Sequence, residues 1–142
     1  MTAEDAHVRY LLDHTEGCLA TVTPNGAPQN KPVGYRYDIG TGTIDIVGFG
    51  MENSAKYRNL TTNPEVAFVI NDAVGEGPDG VRFVEVRGRA EQVEATPLGA
   101  DSHGVSRHLI RIHPRRIVSW NVDPGRPGLL TWTNPLQTEE KD

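Results

Sequence analysis

Asn53-Ser54-Ala55-Lys56-Tyr57-Arg58-Asn59-Leu60-Thr61-Thr62-Asn63-Pro64 reads as a short helix set between two β-strands, and the rest of the chain is arranged around it. The side-chain oxygen of Ser54 or Asn53 can accept from first-turn N–H groups, so either serves as N-cap. Pro64 ends the helix, because the residue before a proline is pushed out of helical geometry. Lys56 falls in the first turn, where the helix already carries partial positive charge and a cation is unfavourable. Lys56 and Arg58 are therefore not there for helix stability. They suit an anion such as phosphate held by the free N–H groups of the helix start, or they form a solvated basic turn. The stretch by itself leaves both readings open.

Toward the N-terminus, residues 3–14 are predicted helical, with Val8, Leu11 and Leu12 on one face, a Thr2/Asp5 capping box and Gly17 as the stop. Cys18 to Thr23 reads as a strand. Pro24-Asn25-Gly26 is a hairpin turn, since Asn-Gly takes positive φ readily. Gln29 to Asp38 and Thr43 to Gly48 follow as strands, with a Gly/Thr turn between them. Beyond the central helix, Glu65 to Asn71 is a nearly continuous apolar run, the pattern of a strand buried on both faces. Residues 72–80 hold three glycines, a proline and three acids and read as a loop. Arg82 to Glu94 alternates, with Val84, Val86, Gly88, Ala90 and Gln92 on one face and a charged opposite face. Gly88 marks a bulge. Residues 95–107 read as loop. Leu109 to His113 and Ile117 to Val122 are predicted as two strands joined by Pro114-Arg115-Arg116. From residue 124 on, prolines and glycines predict an irregular tail, whose Leu129, Leu130 and Trp132 pack on the barrel or on a partner.

About seven short strands in 142 residues predict a mainly β protein. A closed or nearly closed barrel removes exposed sheet edges, and a sandwich is the alternative. The length fits one domain, here residues 1–123, with the tail at 124–142. The net charge of −5 argues against a nucleic-acid binder. A single Cys18 excludes an intrachain disulfide and fits a reducing compartment. Its apolar surroundings predict a buried, inert thiol. No apolar run approaches transmembrane length, and the N-terminus lacks a leader pattern, so a cytoplasmic, membrane-free protein is expected. Zinc-type Cys/His spacing, a P-loop and GxGxxG are absent from the sequence, so no metal site is expected.

Four segments, in this order, resemble the pyridoxamine 5′-phosphate oxidase-like split β-barrel superfamily, and within it the deazaflavin-dependent oxidoreductases. They are Leu19-Ala20-Thr21-Val22 with Gly26-Ala27-Pro28; Asn53 to Leu60 through Asn63-Pro64; Val84-Glu85-Val86-Arg87-Gly88-Arg89-Ala90; and Ile112-His113-Pro114-Arg115-Arg116-Ile117 with Trp120. The resemblance implies an FMN-binding-like split barrel of six to seven antiparallel strands, with an N-terminal helix and a short central helix. It implies a homodimer with cofactor sites at the subunit interface. Ser54 and Lys56 match the family's Ser-x-Lys phosphate contacts, and Arg58 matches a supporting basic position. Asn30, Lys31, Pro32 and Val33 match the second-strand positions that line the ring and chain of the cofactor. Val47, Gly48, Phe49 and Gly50 match the end of the third strand beside them. Gly34-Tyr35 departs from the bulky pair many relatives carry, which leaves F420 and FMN both open as cofactor.

The implied activity is hydride transfer between reduced coenzyme F420 and a small unsaturated organic substrate. FMN chemistry is the alternative, as is a non-catalytic carrier of a cofactor, haem or tetrapyrrole. Hydride transfer has no obligate side-chain acid or base, and the sequence shows no triad or dyad to supply one. His7 and His14 read as solvated helix residues, His103 and His108 as loop flanks, and His113 as a turn residue. Trp120 reads as a core or dimer contact, and Trp132 as a cover for a neighbouring subunit's pocket.

Overall fold

The computed structural model describes residues 5–95 and 104–134. In chain order the elements are α1 (Ala6–Asp13), β1 (Glu16–Val22), β2 (Pro28–Asp38), β3 (Thr43–Val47), a 3-10 turn (Met51–Asn53), α2 (Ala55–Thr62), β4 (Glu65–Ala73), a second 3-10 turn (Pro78–Gly80), β5 (Val81–Glu94), β6 (His108–Trp120) and β7 (Leu129–Thr133). All strand pairings are antiparallel, in the order β3-β2-β1-β4-β5-β6-β7. Pairing of β3 with β6, at Ile44↔Ile112 and Ile46↔Ile110, closes the first six strands into a barrel. The protein is mainly β, and β7 lies outside the closed ring along β6. No helix among the described residues is long and apolar enough to cross a membrane.

The interior follows the period of two that a pleated strand imposes. Ile44 and Ile46, Phe68 and Ile70, Val84 and Val86, and Ile110 and Ile112 are all buried in one cluster. β4 is not buried on both faces as its apolar run predicts: Val66, Phe68 and Ile70 are buried, whereas Ala67 and Val69 are half-buried on the other side. The inward series of β5 ends at Ala90; Gln92 is exposed and donates to the Tyr57 carbonyl (2.8 Å) and to Thr61 (3.2 Å) on α2. Helix α1 buries Val8, Tyr10 and Leu11, while Leu12 is exposed. It stops at Asp13, and Gly17 lies within β1 beneath Phe68 and Ile70. Asp5 makes no side-chain cap bond, and Thr2 lies outside the described residues. Cys18 is half-buried in β1 rather than enclosed.

The two predicted strands flanking Pro114-Arg115-Arg116 are one strand, β6. Proline cannot donate to a ladder and is tolerated in a strand at a bulge. The β5–β6 register shifts between Arg87 and Gly88, opposite Pro114. A Cβ at Gly88 would lie 2.2 Å from the His113 carbonyl oxygen, so only glycine lets the two backbones approach there. The bulge predicted at Gly88 is thus what carries the chain through Pro114. The predicted irregular tail also needs correcting, because Leu129–Thr133 pairs with Arg116–Trp120. The prolines and glycines of residues 124–128 form the turn that permits this return. Trp132 packs against its own barrel core.

At one end of the barrel α1 is clasped to β4 and β5 through Asp72. Its carboxylate accepts from the Arg82 guanidinium and from the Tyr10 hydroxyl (2.8 Å). His14 lies 3.6 Å away. The Arg82 hydrogen bonds, reinforced by Tyr10, hold the Asp72 carboxyl down at about 2. An unfolded aspartate titrates near about 4. Because the folded value is the lower one, this stabilisation is present above about pH 4 and is lost as pH falls toward about 2. Wild type is therefore expected to lose more melting temperature across that acid window than Asp72→Asn does. Equal losses in scanning calorimetry would show that Asp72 is not coupled to folding.

Candidate functional site

Helix α2 is placed by its own polar residues. Ser54 is the N-cap: its hydroxyl accepts from the Tyr57 N–H (3.3 Å) and donates to the Met51 carbonyl (2.7 Å). Asn59, buried on the barrel side, donates to Thr21 on β1 and to Gln29 on β2, both at 3.0 Å. These bonds fix the start of α2 beside β2. The N–H groups of Ala55 and Lys56 there have no intrahelical acceptor.

Strand β2 pairs with β1 along Pro28 to Gly34, but with β3 only from Gly34, opposite Val47, to Asp38. From Pro28 to Val33 its second edge is open. On the far side of this opening the chain runs Val47-Gly48-Phe49-Gly50 and enters the 3-10 turn that leads to α2. Gly50 has a left-handed φ of 57°, which turns the chain from β3 toward the helix. The opening is thus bounded by an unpaired strand edge, a glycine-flanked phenylalanine and a helix N-terminus.

The residues predicted for the site surround this opening, with differences in detail. Asn30, Lys31 and Pro32 are exposed. Val33 is buried in the core, so it offers backbone rather than side chain. Val47 and Gly48 are half-buried, and Phe49 is 75% exposed. Arg58 is exposed and donates to the Asn53 carbonyl, bracing the turn ahead of the helix. Lys56 is half-buried, and its ammonium is held below the ordinary lysine range first by burial and then by the charge of Lys31. Among the described residues no carboxylate pairs with either lysine. Two cations brought together without a counter-charge cost folding energy and make a site for an anion.

His113 and His7 differ from their sequence reading. His113 is a mid-strand residue bonded to Glu91 (2.8 Å) on the outer barrel face. His7 is partly buried, which lowers its pKa, and its ring lies 6.2 Å from that of Trp132. His103 lies outside the described residues. His108 bridges Tyr57 and Glu52, at 3.3 and 3.5 Å, beside the opening. Sequence reading missed this group, because Glu52 and Tyr57 are separated from His108 by half the barrel and only the closed fold joins them. A cleft of about 390 Å³ lies elsewhere, near the β2–β3 turn, lined by Tyr37, Thr43, His113 and Trp132. It lacks the free strand edge of the β2 opening and its two lysines. We therefore place the candidate site at the opening.

Comparison with known proteins shows the family. A family model described as pyridoxamine 5′-phosphate oxidase matches residues 3–121. A 5a,11a-dehydrotetracycline/5a,11a-dehydrooxytetracycline reductase of Streptomyces rimosus is 41% identical over 118 residues, covering 82% of this chain and 81% of that one. Among solved structures, an F420 reductase is 27% identical with a TM-score of 0.56, covering 77% of this chain and 94% of the other. A conserved hypothetical protein from Mycobacterium tuberculosis shares the fold at 24% identity and a TM-score of 0.69, covering 96% and 95% of the two chains.

Proposed function

This chain belongs to the pyridoxamine 5′-phosphate oxidase family and is an oxidoreductase of it, and from that premise we propose that it uses reduced coenzyme F420 to reduce a conjugated C=C bond in a small organic substrate. The observation that carries the reading is the Lys31–Lys56 pair, uncompensated by any carboxylate among the described residues and set at the mouth of the open β2 edge. An acidic, phosphate-bearing deazaflavin supplies the missing negative charge. The reductase of dehydrotetracyclines and the F420 reductase to which the chain is similar support both the reaction class and the cofactor.

In this reading the phosphate sits against the first-turn N–H groups of α2, with Lys56 and Lys31 as its charged partners and Arg58 and Ser54 holding the helix start in shape. The ring lies along the open edge of Asn30 to Val33, where unpaired backbone groups can meet its polar rim. Val47 to Gly50 form the other wall, and Phe49 offers an aromatic face. When bound, the reduced coenzyme supplies the hydride, and the chain supplies position and electrostatics. Asn30, Lys31, Pro32, Phe49 and Gly50 are all exposed in the single chain. A second copy packed over them, forming a homodimer, would complete the enclosure that excludes water.

Titration of the purified protein with F420 and, separately, with FMN tests the reading. Saturable F420 binding with weaker or absent FMN binding is expected. A protein that is isolated yellow and binds FMN alone would transfer the same site to flavin chemistry and overturn the deazaflavin assignment.

A further inference from the structure

We propose that Tyr57, backed by His108 and Glu52, delivers the proton that completes reduction of the substrate. This inference rests on the deazaflavin reading above. Hydride addition to a conjugated C=C–C=O group leaves an enolate, and the product forms only when a proton follows.

The group is built from three elements that meet at the opening. Tyr57 is on α2, next to Lys56, and is half-buried rather than enclosed. Its hydroxyl lies 3.3 Å from Nδ1 of His108 at the start of β6, and the two rings meet edge to face. Nε2 of His108 lies 3.5 Å from the Glu52 carboxylate in the 3-10 turn. The Ser106 hydroxyl donates to the same carboxylate, at 3.2 and 3.3 Å to its two oxygens. The Ser106 N–H donates to the Gly48 carbonyl (2.8 Å), which ties the group to the Gly48–Gly50 wall. Glu94 is the β5 residue paired with His108 in the ladder. The carboxylate of Glu52 thus faces Nε2 of the imidazole, and Glu94 stands beside it on the neighbouring strand. Burial, Glu52 and Glu94 in turn raise the Tyr57 pKa, so the phenol keeps its proton until a stronger base is presented.

An enolate is that base. The substrate has by then accepted a hydride and its electron pair from the reduced deazaflavin, which is oxidised by two electrons. The enolate takes the Tyr57 hydroxyl proton, and the O–H electron pair stays on the phenolic oxygen. Water then gives a proton to Nδ1 of His108, which passes it to the phenolic oxygen, while the other ring proton stays on Nε2 toward Glu52. Tyr57 is the donor, and His108 and Glu52 are positioning residues.

Tyr57→Phe keeps the ring packing and removes only the hydroxyl. It is expected to lower kcat by about 100-fold or more, the usual scale of a positioned acid, while F420 affinity stays within about threefold of wild type. Glu52→Gln is expected to lower kcat while F420 affinity stays within about threefold of wild type, because Nε2 of His108 loses the carboxylate that orients the ring. Independently of cofactor, 15N NMR of the cofactor-free protein at high pH should show the Nε2-protonated tautomer of His108, with an Nδ1 shift that changes in Tyr57→Phe. Normal F420 binding with kcat of Tyr57→Phe within about threefold of wild type overturns the proton-delivery role alone. An unchanged Nδ1 shift removes its structural basis. Absence of F420 binding in wild type overturns this proposal together with the reading it rests on.

Discussion

Replacing Lys31 and Lys56 together with alanine is expected to weaken F420 binding by about 10²- to 10⁴-fold. Each hydrogen bond to a charged group is worth about 1.5–3 kcal/mol, so losing two costs about 3–6 kcal/mol of affinity. The sign of the accompanying stability change identifies the cause. In the free protein the lysines repel, and Lys56 is further disfavoured by partial burial. Removing them relieves that repulsion, so the melting temperature of the cofactor-free variant should not fall. A residue that lowers stability while raising affinity is the mark of a binding site rather than of a scaffold. Wild-type affinity should also drop with added salt, because the attraction is electrostatic, and the double variant should lose most of that dependence. Affinity within about threefold of wild type would remove the two lysines from the site.

The second large effect is on the barrel itself. Phe68→Ala is expected to cost about 3–5 kcal/mol, the range for truncating a fully buried aromatic residue. Phe68 is 1% exposed. It packs edge to face on Tyr35 at 5.1 Å and covers Gly17 of β1. Tyr35 in turn donates its hydroxyl to the Leu11 carbonyl (2.6 Å), so the cavity would loosen α1 as well as the β1–β4 seam. Denaturant titration reads the loss directly. A cost below about 1 kcal/mol would mean that neighbouring chains collapse into the space.

The strands were legible wherever a period of two met a clear turn. Cys18 to Thr23, followed by the Asn25-Gly26 turn, and Thr43 to Gly48 carry both signals, and the structure places strands there within a few residues. Misreadings arose where tertiary pairing overrides local chemistry. Pro114 reads as a break, but the bulge at Gly88 across the ladder absorbs it. Pro124 to Gly128 reads as the start of an irregular tail, but it is the return that lays β7 on β6. The strand total came out alike because one division too many in β6 offset the unrecognised β7. In the candidate site, Lys56 was legible because a cation in a first turn is locally unfavourable and needs a reason. Val33 matched a site position by order along the strand, yet its side chain points into the barrel. The Glu52–His108–Tyr57 group was not legible, because no local pattern links residues so far apart in the chain.

The barrel has two halves with different histories. β1, β2 and β3 form one meander of neighbouring strands, and β4, β5 and β6 form another. Among the described residues the pairings between them are two seams, Cys18–Ala20 with Ala67–Val69 and Ile44–Ile46 with Ile110–Ile112. Within a meander, partners are near one another in the chain and meet early; the seams must close long loops before any contact rewards them. Folding on the slow scale of non-local β topologies, on the order of milliseconds to seconds, is therefore expected. The segment joining the two meanders carries α2, so zipping the seams and assembling the Lys31–Lys56 opening are a single event. On the proposed reading, an anionic cofactor consequently has no docking place on a half-folded chain, and its whole binding energy goes to the closed barrel.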